Sequence, residues 1–127
     1  MKDTRAHLSR HDLDYFRSLL LERRAEIVGD LTTMENEELR PEFNELSHLP
    51  SHPADRGTDS SELDTIRTLA EGERSTLREI DEALERIDEG TYGVCEMTGE
   101  PIPKARLEAQ PWARYTVETA RSLERGR

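Results

Sequence analysis

Four positions late in the sequence have a spacing that suits metal chemistry: Cys95 and Thr98, then seventeen residues, then Thr116 and Thr119. Two ligand pairs, each with two residues between its members, are how a short segment presents four thiolates to one tetrahedral zinc. Only the first of the four is a cysteine. A threonine hydroxyl is a poor substitute for a thiolate, so the spacing is that of a zinc site but the donors are not. The expectation is therefore no bound zinc, with the threonines hydrogen bonding in the ligands' places. A small core of Tyr92, Val94, Ile102, Leu107, Trp112, Tyr115 and Val117 would hold the segment instead. As the one cysteine, Cys95 cannot form an intramolecular disulfide, and a buried, inert thiol is the expectation over a redox sensor.

Other groupings are weaker. His48, His52 and Asp55 are suitable ligand types at helical spacing, but Pro50 and Pro53 interrupt any helix that would align them. His7 and His11 can share a helix face but lack a third ligand nearby. No arrangement of nucleophile, base and oxyanion hole can be assembled, so the chain does not read as an enzyme.

The elements that position these residues follow from apolar spacing. Leu13, Phe16, Leu20, Ile27 and Met34 mark a heptad seam over about Asp12–Glu38, with gaps at Arg23 and Asp30, the latter flanked by Leu31. Pro41 stops that helix. A second seam is more regular: Leu63, Ile66, Ala70, Glu73, Leu77, Ile80, Leu84 and Ile87 alternate steps of three and four, broken only by Glu73. Asp59 and Glu62 resemble a capping box, Ser60 and Ser61 compete as caps, and Gly90 suits the position after the C-terminal end. At 1.5 Å per residue each helix spans roughly 40 Å, and a short connection makes the pair antiparallel. The connection, Pro41–Thr58, holds three prolines and Gly57 and reads as an exposed irregular tip. The expected fold is mainly α: an N-terminal segment 1–11, a long antiparallel coiled-coil hairpin over 12–89 with its tip at about 41–58, and a small zinc-finger-like base with a C-terminal helix over 90–127.

Composition agrees with narrow seams. Of 127 residues 33% are hydrophobic and 36% charged, too few apolar groups for one large spherical core. The formal net charge is −10, and it is uneven. Met1–Arg24 carries 6 basic and 4 acidic residues and Lys104–Arg127 carries 6 and 3, which leaves −15 for the middle. That acidity argues against direct DNA binding through the phosphate backbone. The longest apolar run, Leu19–Leu21, is far too short to span a membrane. With no leader-like start, the expected location is the cytoplasm.

The run YGVCEMTGEPIPKARLEAQPWARYTVETA resembles the zinc-finger segment of the DksA/TraR family, whose pattern reads YGxCxxCGxxI, RLxAxP, then CxxC. HPADRGT, at His52–Thr58, is similar to the family's tip motif of the type DPxDRAT, and with both helices the likeness covers about Asp12–Arg125. The resemblance implies a monomeric regulator of the stringent-response type that binds bacterial RNA polymerase. Its hairpin would enter the secondary channel, bringing Asp55 near the active site, with His52, Arg56, Gly57 and Thr58 around it.

The departures from the pattern carry meaning. His52 replaces the first tip aspartate and Gly57 the usual alanine, so the tip loses a charge and gains backbone freedom. HPAD is also found in the branch of the family that includes sporulation and stress-response proteins, which keeps open an interaction protein of the same fold that does not act on polymerase. Where nucleotide-responsive members carry basic residues for guanosine tetraphosphate, this chain has Glu79, Gln110 and Ala120, so the expected response is weak or absent.

Overall fold

The computed structural model describes residues 7–39 and 53–126, with side chains described over 7–36 and 61–126. Among the described residues four helices occur in order: α1 (Arg10–Leu39), α2 (Pro53–Glu89), α3 (Lys104–Ala109) and α4 (Val117–Arg125). The fold is mainly α. Among the described residues the extended pairing is a single antiparallel bridge, Val94 to Pro101.

Helix α1 begins two residues before the expected start, because Ser9 caps it. Asp12 N donates to Ser9 Oγ at 3.0 Å and Ser9 N donates to Asp12 Oδ2 at 2.9 Å, a reciprocal capping box with aspartate as its acid. Helix α2 begins at Pro53, so the expectation of an irregular loop as far as Thr58 is corrected. Proline is tolerated in a first helical turn, where its missing N–H would have had no intrahelical partner. Asp55, Arg56, Gly57 and Thr58 thus lie in the first turns of α2, and Asp59, Ser60, Ser61 and Glu62 lie inside the helix instead of capping it. His48 and His52 fall outside the described residues. The far end of α2 closes with Gly90 at φ +81°, Thr91 N donating to Arg86 O at 2.9 Å and Gly90 N to Ile87 O at 3.3 Å. These are the two bonds of a Schellman motif.

The chain divides into two compact units. Ala25–Leu77 forms one, with a thin seam: Ile27 and Ala70 are buried, while Leu31, Met34, Leu63, Ile66 and Leu77 are half-buried. Glu73 is half-buried here, and its Oε2 is shielded without a hydrogen-bond partner.

The other unit joins the residues up to Arg24 with those from Arg78. Arg17 pairs with Asp88 at 2.8 Å and Arg24 with Asp81 at 2.7 Å. Seven residues forward on α1 match seven back on α2, so the helices run antiparallel there. Its core combines Leu8, Phe16 and Leu20, then Ile80, Ala83 and Ile87, then Tyr92, Cys95, Ile102, Leu107 and Ala113. Of the core expected for the finger, Tyr92, Ile102 and Leu107 are fully buried, whereas Val94, Trp112, Tyr115 and Val117 are half-exposed. Leu8 and Phe16 take their share. Phe16 sits 5.9 Å from the Tyr92 ring, and Tyr92 Oη donates to Pro111 O at 2.7 Å. Leu8 rests on Gly93, where a Cβ would come within 2.5 Å of its Cδ1, and His7 Nε2 donates to Ile102 O at 3.2 Å.

Candidate functional site

The finger is built from two turns. The first runs from Gly93 to Ile102: Ile102 N donates to Gly93 O, Cys95 N to Glu100 O and Gly99 N to Cys95 O, each at 2.8 Å. Gly93 and Gly99 hold φ of +85° and +75°, values that glycine reaches without a Cβ penalty. The second turn leads into α4, where Thr116 is the N-cap. Its Oγ1 accepts from Thr119 N at 3.3 Å and lies 3.0 Å from Thr119 Oγ1, with 5% of the residue exposed.

The structure brings Cys95, Thr98, Thr116 and Thr119 together around one sulfur. Cys95 is 1% exposed, and burial pushes its thiol pKa up. Against this, the Thr98 hydroxyl, the Thr116 N–H, the Thr119 hydroxyl and the Thr98 N–H all hydrogen bond to the sulfur, and together they pull the value down to about 6. Thr98 Oγ1 also accepts from Glu100 N at 3.2 Å, which fixes the hydroxyl's place. This donor set does not fit tetrahedral zinc. One sulfur is available, and the Thr116 hydroxyl is committed as a helix cap.

Sequence reasoning missed a charged cluster beside the two turns. Arg114 Nε donates to Glu79 Oε1 at 2.7 Å and Nη1 to Glu96 Oε2 at 3.0 Å, and Nη2 pairs with Glu82. Arg86 Nη1 lies 3.9 Å from Glu96 Oε2, and its Nη2 donates to Trp112 O at 3.4 Å. The available signal was the stripe Glu79, Glu82, Arg86 on one face of α2, but its partners are far away in sequence.

Glu79, Gln110 and Ala120, separated by up to 41 positions, line one open cavity of about 510 Å³ together with Arg106, Trp112 and Arg121. Arg106 Nε donates to Tyr115 O at 2.7 Å and Glu79 holds Arg114, so two of the charged groups at its wall are already engaged.

Residues 90–125 match the family described as the prokaryotic dksA/traR C4-type zinc finger. General stress protein 16O of Bacillus subtilis is 39% identical over 118 residues, covering 92% of this chain and 71% of that protein. The RNA polymerase-binding transcription factor DksA of Caulobacter vibrioides is 39% identical over 121 residues, covering 89% and 76%. The structure of transcription factor DksA2 from Pseudomonas aeruginosa superimposes with a TM-score of 0.77 at 34% identity, covering 94% of this chain and 88% of that one. With relatives at these identities over most of both chains, and a final segment that matches the family's zinc finger, the chain belongs to the DksA/TraR family.

Proposed function

We propose that this protein is a transcription regulator that binds RNA polymerase through its secondary channel and acts with Asp55 near the active site. The observation that carries this reading is the 39% identity, across 89% of the chain, to a relative named as an RNA polymerase-binding transcription factor. The run Asp55-Arg56 at the start of α2 supports the assignment of the acting residue. A carboxylate there would shift the stability of promoter complexes without taking part in chemistry, so the protein is not an enzyme in this reading. The test is co-purification with polymerase followed by in vitro transcription. Asp55→Asn is expected to keep binding and lose the transcriptional effect; an unchanged effect in that variant sinks the tip mechanism.

The protein works without zinc in this reading, since the four ligand positions offer one sulfur and three hydroxyls. Elemental analysis should find far less than one zinc per chain. It acts in the cytoplasm as a monomer and does not bind DNA directly. Among the described residues no helix is long and apolar enough to cross a membrane.

A second reading has its own support: a relative of equal identity is named a general stress protein. In that case the hairpin serves a different partner, and a pull-down that recovers no polymerase subunit decides for it.

A further inference from the structure

The two turns of the finger carry no metal in the reading above, and at their inner edge they are tied by hydrogen bonds to one sulfur. Toward α2 they share a buried core and a bond from Arg86 to Trp112 O, and the outer edge is where charge gathers. We infer that Arg114 is the fastener of that edge: its guanidinium, gripped by Glu79, Glu82 and Glu96, closes the two turns on each other and on the helix by charge.

The positions make the case. Glu96 follows Cys95 in the first turn, and Arg114 precedes Thr116 by two residues in the second. Their ion pair at 3.0 Å therefore bridges the same two turns that a tetrahedral metal bridges. A backbone bond, Glu96 N to Arg114 O at 2.9 Å, runs alongside it. Glu79 and Glu82 are on α2, one turn apart, and anchor the other edges of the guanidinium. Three carboxylates take donors from all three nitrogens, the planar fork geometry that arginine offers and lysine does not.

Charge balance adds to this. Three carboxylates face two guanidiniums, Arg114 and Arg86. Removing Arg114 leaves three like charges close together, with Arg86 near Glu96 alone at 3.9 Å, so repulsion follows the loss of attraction. The Arg114 side chain is 23% exposed and that of Arg86 11%, against 37–50% for the carboxylates. The cluster is thus more shielded than an isolated surface pair, yet still open to screening by salt, with a Debye length of about 8 Å at physiological ionic strength. A finger fastened this way loosens with ionic strength, whereas a metal-held finger loosens with a chelator.

The inference rests on the metal-free reading, and the experiment separates the two. Amide hydrogen exchange is followed on the full chain for wild type, Arg114→Met, Arg114→Lys and Glu82→Gln, at low and high salt and with a chelator. Arg114→Met is expected to lose protection by roughly tenfold or more at 93–99 and 111–116, with α1 and α2 keeping theirs. Arg114→Lys, which keeps the charge but not the fork, should fall between, and high salt should move wild type toward Arg114→Met. Wild-type protection in both turns for Arg114→Met overturns the fastener. If that variant does not fold, equal protection in wild type, Arg114→Lys and Glu82→Gln overturns it as well. Loss of wild-type protection on chelation, with stoichiometric zinc released, overturns the metal-free reading, and the Arg114 variants are still judged on their own protection.

Discussion

At the residue scale the informative atom is the sulfur of Cys95. A thiol so buried would ordinarily titrate above its free value, but four donors aimed at it favour the thiolate, and they hold its pKa at about 6. The thiolate's ultraviolet absorbance should therefore appear near pH 6, and Thr119→Val, which removes one donor, should move that titration upward. An unmoved titration in Thr119→Val means that the hydroxyl does not reach the sulfur. The stability linkage has a definite sign. The folded value lies below that of an unfolded thiol, about 8.5, so the stability that the thiolate adds is complete above that pH and lost as pH falls through about 6. Cys95→Ser should accordingly be more destabilising at alkaline than at acid pH. That the four positions share one site was legible, because ligand spacing encodes a pair of turns. Arg114 was not legible. Its partners lie 18, 32 and 35 residues away, and ordinary surface arginines look the same in sequence.

At the element scale the long helices were readable from their seams, and their N-terminal boundaries were not. Phe16, Leu20, Ile27, Ala70, Ile80 and Ile87 are buried where heptad spacing puts them. The start of α1 depended on Ser9, which takes part in a capping box whose acid is Asp12, and the start of α2 on Pro53, which initiates a helix as readily as it ends one. Tertiary contact strengthens the first of these caps. Lys104, preceding the rest of α3, pairs with Asp12 at 2.9 Å, and this bond first, with those from Ser9, lowers the Asp12 carboxyl from its ordinary 3.8 to about 2. The stability it lends is present above its unfolded value and lost as pH falls from about 4 toward 2. In acid unfolding, Asp12→Asn should therefore be less stable than wild type at neutral pH and converge with it near pH 2. A constant difference between the two across that range removes the carboxylate from the account. Ser9→Ala should cost about 1 kcal/mol, as loss of a helix cap does, and do so at every pH where Asp12 is ionised.

At the scale of the whole molecule, the question is what an acidic protein can bind. With −15 between Ala25 and Pro103 and +5 at the two ends, a net charge of −10, the chain has no net electrostatic pull on polyanions. The cavity lined by Glu79, Gln110 and Ala120 follows the same logic locally. Among the described residues three arginines line it too, but Arg106 is engaged with a backbone carbonyl and Arg114 with three carboxylates, which leaves Arg121 to face an anion. Guanosine tetraphosphate needs several uncommitted cations and Arg121 is a single one, so transcription with this protein should respond little to the nucleotide. The matching gain is more decisive. Gln110→Arg combined with Ala120→Lys supplies two cations at the cavity wall and leaves Glu79 in place to hold Arg114. A charge-assisted hydrogen bond is worth about 1.5–3 kcal/mol, so even one that forms should tighten nucleotide binding roughly tenfold or more. Calorimetric titration of the nucleotide into wild type and the double variant, alone and in complex with polymerase, measures this. Tight binding by wild type would show that the cavity recruits phosphate through groups other than these three positions. An unimproved double variant would show that the missing cations are not what limits it.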